Sequence, residues 1–198
     1  MVCNMAKTGQ TIENPITGQR ILFLTSANEN GGTRWKVEWF VKPQQGKFPP
    51  EHLHPTFSEQ FAILSGTAGY KLAGQEHTAQ AGEVVNIPAG LAHMNPWSVS
   101  DEELHMRHVI KLAQPNLRML AAAEDFFETL FGLAQEGKVG QDGRPNLLQF
   151  FVLVAAASPL AYLPGIPIGA QDIVIGALAR IGSWLGYKAR YPQYSGVE

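Results

Sequence analysis

The pattern of apolar and polar positions changes near residue 115, and the part before that point predicts β-strands. Between residues 33 and 42 every second side chain is apolar, which is the period of a strand with one buried face. This apolar set is Trp35, Val37, Trp39 and Val41. Further strand candidates span residues 20–25, 60–65, 69–72, 83–87 and 104–112. We therefore expect a mainly β domain over residues 1–115.

Beyond residue 115 the apolar positions recur at three and four, which predicts helices. The first helix is expected over residues 116–135, with Asn116 capping its start and Gly137 its end. Two more are expected over about residues 146–157 and 170–187. The last has an apolar stripe of Val174, Ala177, Leu178, Ile181, Trp184 and Leu185. Residues 116–198 are therefore predicted to form a helical C-terminal extension.

One segment of this extension, residues 147–171, contains no charged side chain and is long enough to cross a bilayer. Three prolines interrupt it, and proline breaks a continuous helix. They are Pro159, Pro164 and Pro167. We favour a packed extension or a dimerisation element over peripheral membrane contact through residues 147–187, and we favour both over a membrane span.

Composition excludes some classes of function. The 198 residues are 45% hydrophobic with a formal net charge of −2, so a globular protein is expected. A sequence pI of about 6.3 and the lack of a basic run indicate no nucleic-acid partner. Cys3 is the single cysteine, which excludes an intrachain disulfide and is compatible with a reducing compartment. The N-terminal residues do not resemble a signal peptide, so we expect a cytoplasmic location.

Three histidines and one glutamate occur at a spacing that allows them to converge on one metal ion. His52 and His54 are two residues apart, so an extended backbone places both side chains on one face. A short turn can return Glu59 beside them, and His93 follows a Pro-Ala-Gly turn in a second segment. Imidazole and carboxylate groups bind first-row transition metals. Four ligands leave positions open for substrate, water or oxygen on a metal that prefers five or six.

The two segments resemble the two motifs of the cupin family. Every fixed position of the first motif is matched, by Gly46, His52, His54, Glu59 and Gly66. The second is matched by Gly82, Pro88, Gly90 and His93. It departs once, because Trp97 occupies the place of an asparagine that is not a ligand in the family. The stretch between the motifs, residues 67–81, has the short length typical of bacterial members.

The resemblance covers about residues 20–112 and implies a fold and a chemistry. The implied fold is a double-stranded β-helix, or jelly-roll barrel, with one divalent transition metal (Fe, Mn, Ni, Zn or Cu) inside. The implied function is a metal-dependent enzyme acting on a small organic substrate, frequently a dioxygenase of aromatic or enolic compounds, with isomerases and decarboxylases also known. A non-catalytic binding or sensing module is the alternative. Because such barrels often pair, we expect a homodimer.

Strand alternation suggests further residues that line the pocket. If Glu59 points into the barrel, Phe61 and Ile63 share its face and give the metal an apolar wall, although ordinary core filling explains them equally well. Trp39 and Phe48 could line the mouth.

The last predicted strand contributes one more titratable group. Its more apolar face, expected to point inward, consists of Leu104, Met106, His108 and Ile110. His108 would then act as an orienting partner of a ligand or as a general base, or it would be structural. If the faces were reversed, Arg107 would point inward and could hold an acidic substrate.

Overall fold

Two antiparallel β-sheets form the N-terminal part of the computed structural model, which describes residues 6–47, 49–158 and 160–195. The strands in chain order are β1 (Thr11–Asn14), β2 (Gln19–Thr25), β3 (Arg34–Val41), β4 (Ser58–Ser65), β5 (Thr67–Leu72), β6 (Gln75–Gln80), β7 (Val84–Ile87), β8 (His93–Ser98) and β9 (Leu104–Lys111). One sheet has the order β1-β2-β3-β9-β4-β7 and the other β6-β5-β8. This confirms the predicted jelly-roll fold.

The inner face of the larger sheet follows the predicted alternation. β3 pairs with β9 along its whole length, and the apolar positions of both strands are buried, as is His108. The outer face carries Arg107 and His105, which both contact Glu38, at 2.8 Å from Nη2 and 3.0 Å from Nε2 respectively. The predicted assignment of faces is therefore correct, and Arg107 points away from the barrel interior.

Three strands were not predicted, namely β1, β6 and β8. β6 lies at a sheet edge, and Ala79 is its only buried residue, so it lacks the apolar alternation that reveals a half-buried strand. His77 belongs to this strand and is exposed. β8 contains Pro96, and proline is uncommon within strands because it cannot donate a hydrogen bond to the sheet.

The C-terminal part contains α1 (Leu117–Gln135), α2 (Leu147–Ala157), α3 (Ile168–Trp184) and a short 3-10 helix (Pro192–Tyr194). The side chain of Asn116 accepts a hydrogen bond from the Met119 N–H, and Gly137 ends α1 with a φ of 68°, as predicted. α1 packs onto the barrel, where Phe127 stacks on Trp35 at 5.6 Å between ring centroids. Several α1 side chains therefore share the hydrophobic core of the barrel.

α3 packs with its small residues rather than its large ones. A Cβ built on Gly182 would lie 2.8 Å from Val152 of α2, so the two helices approach closely there. The predicted apolar stripe lies mostly on the outside, where Trp184 is 85% and Val174 53% exposed, and Ile173 next to Val174 is 74% exposed. Among the described residues, no helix has the length and apolarity needed to cross a membrane.

Candidate metal centre

A pair of backbone hydrogen bonds brings the two histidine segments together. His52 and His93 form an isolated antiparallel bridge, and each N–H donates to the other's carbonyl at 2.8 Å. Their rings lie 4.4 Å apart, and the ring of His54 lies 4.8 Å from that of His52. All three side chains are buried. The two sequence motifs therefore meet at one point.

The carboxylate of Glu59, at the start of β4, lies beside the three histidine rings. Its Oε2 lies 3.1 Å from Nε2 of His54 and 2.9 Å from Nε2 of His93. The potential ligand atoms of His52, His54, Glu59 and His93 all lie within 4.8 Å of one another. The structure thus brings together all four residues that the sequence analysis selected as metal ligands.

The second nitrogen of each ring is held by the protein backbone. The Nδ1 atoms of His52, His54 and His93 face carbonyl oxygens of Pro50, Leu160 and Leu91. The two distances for His52 and His93 are 2.8 and 2.9 Å. A carbonyl oxygen can only accept, so each Nδ1 carries a proton and Nε2 is the position left to bind a metal or a second proton.

This donor set fits a cation. Oε2 of Glu59 and the Nε2 atoms of His54 and His93 are buried and have no well-aligned hydrogen bond to one another, although they are close. Buried polar atoms in this situation require a partner such as an ion. Imidazole nitrogens with one carboxylate suit a first-row transition metal, without distinguishing Fe, Mn, Ni, Zn and Cu.

The surrounding imidazoles keep Glu59 ionised. Burial raises the pKa of the Glu59 carboxyl, but the charge of the neighbouring His54 and the close approach of the His108, His54 and His93 nitrogens outweigh burial and hold that pKa well below its ordinary value. Burial, followed by the charges of His54 and His93, lowers the pKa of His52 to about 3, so His52 is neutral. Burial also lowers the pKa of His54, but the Glu59 carboxylate outweighs it, and the pKa of His54 is raised.

His108 completes the cluster from β9. Its Nε2 lies 2.8 Å from Oε1 of Glu59, the carboxylate oxygen that does not face His54. Phe61 stacks on the His108 ring at 4.0 Å, and Trp35 meets it edge-on at 5.0 Å. Apolar periodicity predicts Trp35 on the buried face of β3 but does not connect it with the site. The β3–β9 register makes that connection, because His108 pairs with Val37 and Trp35 lies two residues away on the same face.

The other predicted pocket residues have different environments. Phe61 and Ile63 are fully buried on the inner face. Trp39 is buried against α1, with its ring 5.3 Å from that of Phe127. A position of Trp39 at the mouth of the pocket stays a prediction. Phe48 lies outside the described residues. The four candidate ligands are 1–8% exposed, and a groove of about 550 Å³ lies elsewhere, between α1 and α2.

Comparison with known proteins agrees with the geometry. Residues 38–110 match the family model of the cupin domain. This part of the chain is a cupin domain.

The chain is also similar to two fungal proteins that are named as oxidoreductases. The oxidoreductase from Arthrobotrys oligospora is 28% identical over 188 residues, covering 92% of this chain and 71% of that protein. The probable oxidoreductase yanE from Aspergillus niger is 27% identical over 161 residues, covering 76% of this chain and 60% of that protein. The first similarity includes helical residues outside the cupin domain.

A solved structure with a similar fold is that of a predicted oxalate decarboxylase from Thermotoga maritima. It is 22% identical, covers 54% of this chain and 93% of that chain, and superposes with a TM-score of 0.44.

Proposed function

We propose that the chain is a metal-dependent enzyme that acts on a small organic substrate at the His52, His54, Glu59 and His93 cluster. One observation carries this proposal: three imidazoles and a carboxylate converge in the buried interior of the barrel, while a backbone carbonyl oxygen accepts from the Nδ1 of each imidazole. Metal-ligating histidines typically donate their second ring N–H to a carbonyl or carboxylate, which fixes the orientation of the nitrogen that binds the metal. A purely structural core has no need of four convergent polar groups.

A bound divalent transition metal would supply Lewis acidity and, if redox-active, electron transfer to or from substrate and oxygen. The protein contributes three neutral imidazoles and one carboxylate, so the occupied site has a net charge of about +1. In an apolar, water-poor interior this charge favours an anionic substrate group such as a carboxylate or enolate.

His108 is proposed as a positioning residue for Glu59. Because burial lowers the pKa of His108, the ring is neutral, and its Nε2 lies 2.8 Å from Oε1 of Glu59, close enough to donate a hydrogen bond after a small rotation of the ring. This contact orients the carboxylate and leaves Oε2 toward the histidines. The role of general base remains the alternative, and a shift of the acidic limb of a pH–rate profile in His108→Gln would identify it.

Among the reactions open to such a site we favour oxidation, with a dioxygenase as the specific proposal. The names of the two fungal relatives support a redox reaction. Isomerisation or decarboxylation of an enolisable acid is the alternative, and a non-catalytic binding module is the alternative outside enzymes. Homodimer formation, peripheral membrane contact and a cytoplasmic location stay predictions.

The first experiment measures metal content by mass spectrometry on protein purified without a histidine tag or chelator. We expect one equivalent of a transition metal per chain, and loss of it in the His52→Ala, His54→Ala double variant. The exposed His77→Ala variant is the matched control and keeps its metal. Stoichiometric metal in the double variant would refute the assigned ligands.

The second experiment screens phenolic, enolic and keto-acid compounds with the metal-loaded protein, with and without oxygen. Oxygen-dependent turnover supports the dioxygenase, and turnover without oxygen supports the isomerase or decarboxylase. Metal binding with no turnover of any compound favours the binding module.

A further inference from the structure

The connection between α2 and α3 reaches the metal centre from the far end of the chain. The carbonyl oxygen of Leu160 accepts the hydrogen bond from Nδ1 of His54. One residue before His54, Leu53 forms an antiparallel bridge with Tyr162, with N–H to O distances of 2.9 and 3.0 Å in the two directions. Residues 160–162 therefore pair with the histidine segment as a short strand would.

The three histidines differ in how far along the chain the acceptor of their Nδ1–H lies. His52 and His93 donate from Nδ1 to carbonyls only two residues away, those of Pro50 and Leu91, so their own segments orient the rings. The acceptor of His54 lies 106 residues later in the chain. The orientation of His54 therefore depends on tertiary structure.

Two side chains in the first turns of α3 form hydrogen bonds with the connecting segment. The Gln171 side chain is buried; it accepts from the Leu163 N–H at 2.9 Å and donates to the carbonyls of Leu163 and Ile166 at 3.0 and 2.9 Å. The hydroxyl of Tyr162 donates to Oδ1 of Asp172 at 2.9 Å. These contacts form a continuous path from the first turns of α3 to His54.

We infer that the start of α3 positions His54 through residues 160–163, so that the C-terminal extension sets the metal affinity of the cupin domain. The inference rests on the proposed metal site. In this assignment Tyr162 and Gln171 are positioning residues that touch neither metal nor substrate. The extension is then a part of the metal centre, and metal binding and docking of the extension stabilise each other.

The test uses variants that remove the path and leave the site residues unchanged. Tyr162→Phe combined with Gln171→Met removes the side-chain bonds at nearly constant volume. Tyr162→Pro also removes the N–H that donates to Leu53. The matched controls are Tyr187→Phe, beyond the end of α3, and Gln75→Met, in the exposed strand β6.

Two readouts are needed. The dissociation constant for zinc, measured by chelator competition, is expected to rise about 10–100-fold in the double variant, the usual effect of losing a partner of a ligating histidine. It should rise further in Tyr162→Pro and stay within about twofold in the controls.

The second readout is the tautomer of each histidine, from long-range proton–nitrogen correlation spectra of the metal-free protein at alkaline pH. The natural protein should show Nδ1–H at His54. The double variant should show a mixture of tautomers at His54 only, with His52 and His93 as internal controls. A natural protein that binds no zinc would refute the proposed function, while the tautomer still tests the positioning.

An unchanged zinc affinity together with a single Nδ1–H tautomer at His54 would overturn the inference. If the double variant does not fold, the two single variants provide the same comparison with smaller changes.

Discussion

Two glutamates, one in the barrel and one in α1, are almost completely buried, but one is ionised and the other is protonated. Glu59 is surrounded by imidazoles, which outweigh the effect of burial, and its pKa lies well below the ordinary value. Glu124 accepts one hydrogen bond, from the Ala27 N–H at 2.6 Å, and burial raises its pKa to about 8. The neighbours of a buried carboxyl, rather than burial itself, thus decide its charge.

The difference separates a site from a structural contact. Glu59 is an anion among neutral or cationic rings, and it is ready to bind a metal. Glu124 is neutral at pH 7, and the carboxylates of Glu128, Asp125 and Glu29 also raise its pKa. Its hydrogen bond joins α1 to the loop after β2. Substitution of Glu59 should therefore affect metal binding, whereas substitution of Glu124 should affect stability.

The largest effect is expected from Glu59→Gln. The change removes the single anionic ligand and leaves a side chain of the same shape, so the dissociation constant for zinc should rise by more than about 100-fold. Glu124→Gln is the matched control and should leave zinc binding unchanged. Equal zinc affinity in natural protein and Glu59→Gln would show that the carboxylate is not a ligand.

The same control variant should behave differently in stability. Glu124 keeps its proton to about pH 8 in the folded state, but in the unfolded chain it loses it near 4.5, so stability falls between these values as pH rises. Glutamine mimics the protonated form. Because the pKa differs by about 3.5 units between the folded and unfolded states, Glu124→Gln should gain up to about 5 kcal/mol at pH 9 and almost nothing at pH 4, measured by urea denaturation. A pH-independent difference would contradict the raised pKa.

Protons and metal should compete for Nε2 of His54. Because Glu59 raises the pKa of His54, this ring must lose a proton before it binds metal. Zinc affinity should fall by about tenfold per pH unit below that pKa and level off above it. Calorimetry in buffers of different ionisation enthalpy should detect the released proton. An affinity that is constant from pH 5 to 9 would exclude this competition.

The smallest effect on stability is expected at the outer face of α3. Ile173→Lys and Trp184→Lys replace exposed side chains and should change unfolding free energy by less than about 0.5 kcal/mol each. Sedimentation velocity of the same variants tests the predicted homodimer. Loss of dimer would place the interface on this face, and an unchanged dimer would place it elsewhere.

Much of the barrel could be predicted because alternation reports directly on burial. The inner faces of β3 and β9 were assigned correctly from apolar periodicity, and His108 was placed beside the site on that basis. Edge strand β6 was missed because both of its faces are polar. In α3 the periodicity identified a large apolar stripe, but packing selected the side with Ala179 and Gly182, where the helices approach most closely.

The sequence by itself determined which side chains form the candidate centre, because His52, His54, Glu59 and His93 stand at spacings that a paired extended backbone can bring together. Only the tertiary structure decided how they are oriented and charged. The acceptor for His54 is a backbone carbonyl 106 residues away, and every residue type has such a carbonyl, so no sequence pattern marks it. The contrast between Glu59 and Glu124 likewise arises from neighbours that only folding assembles.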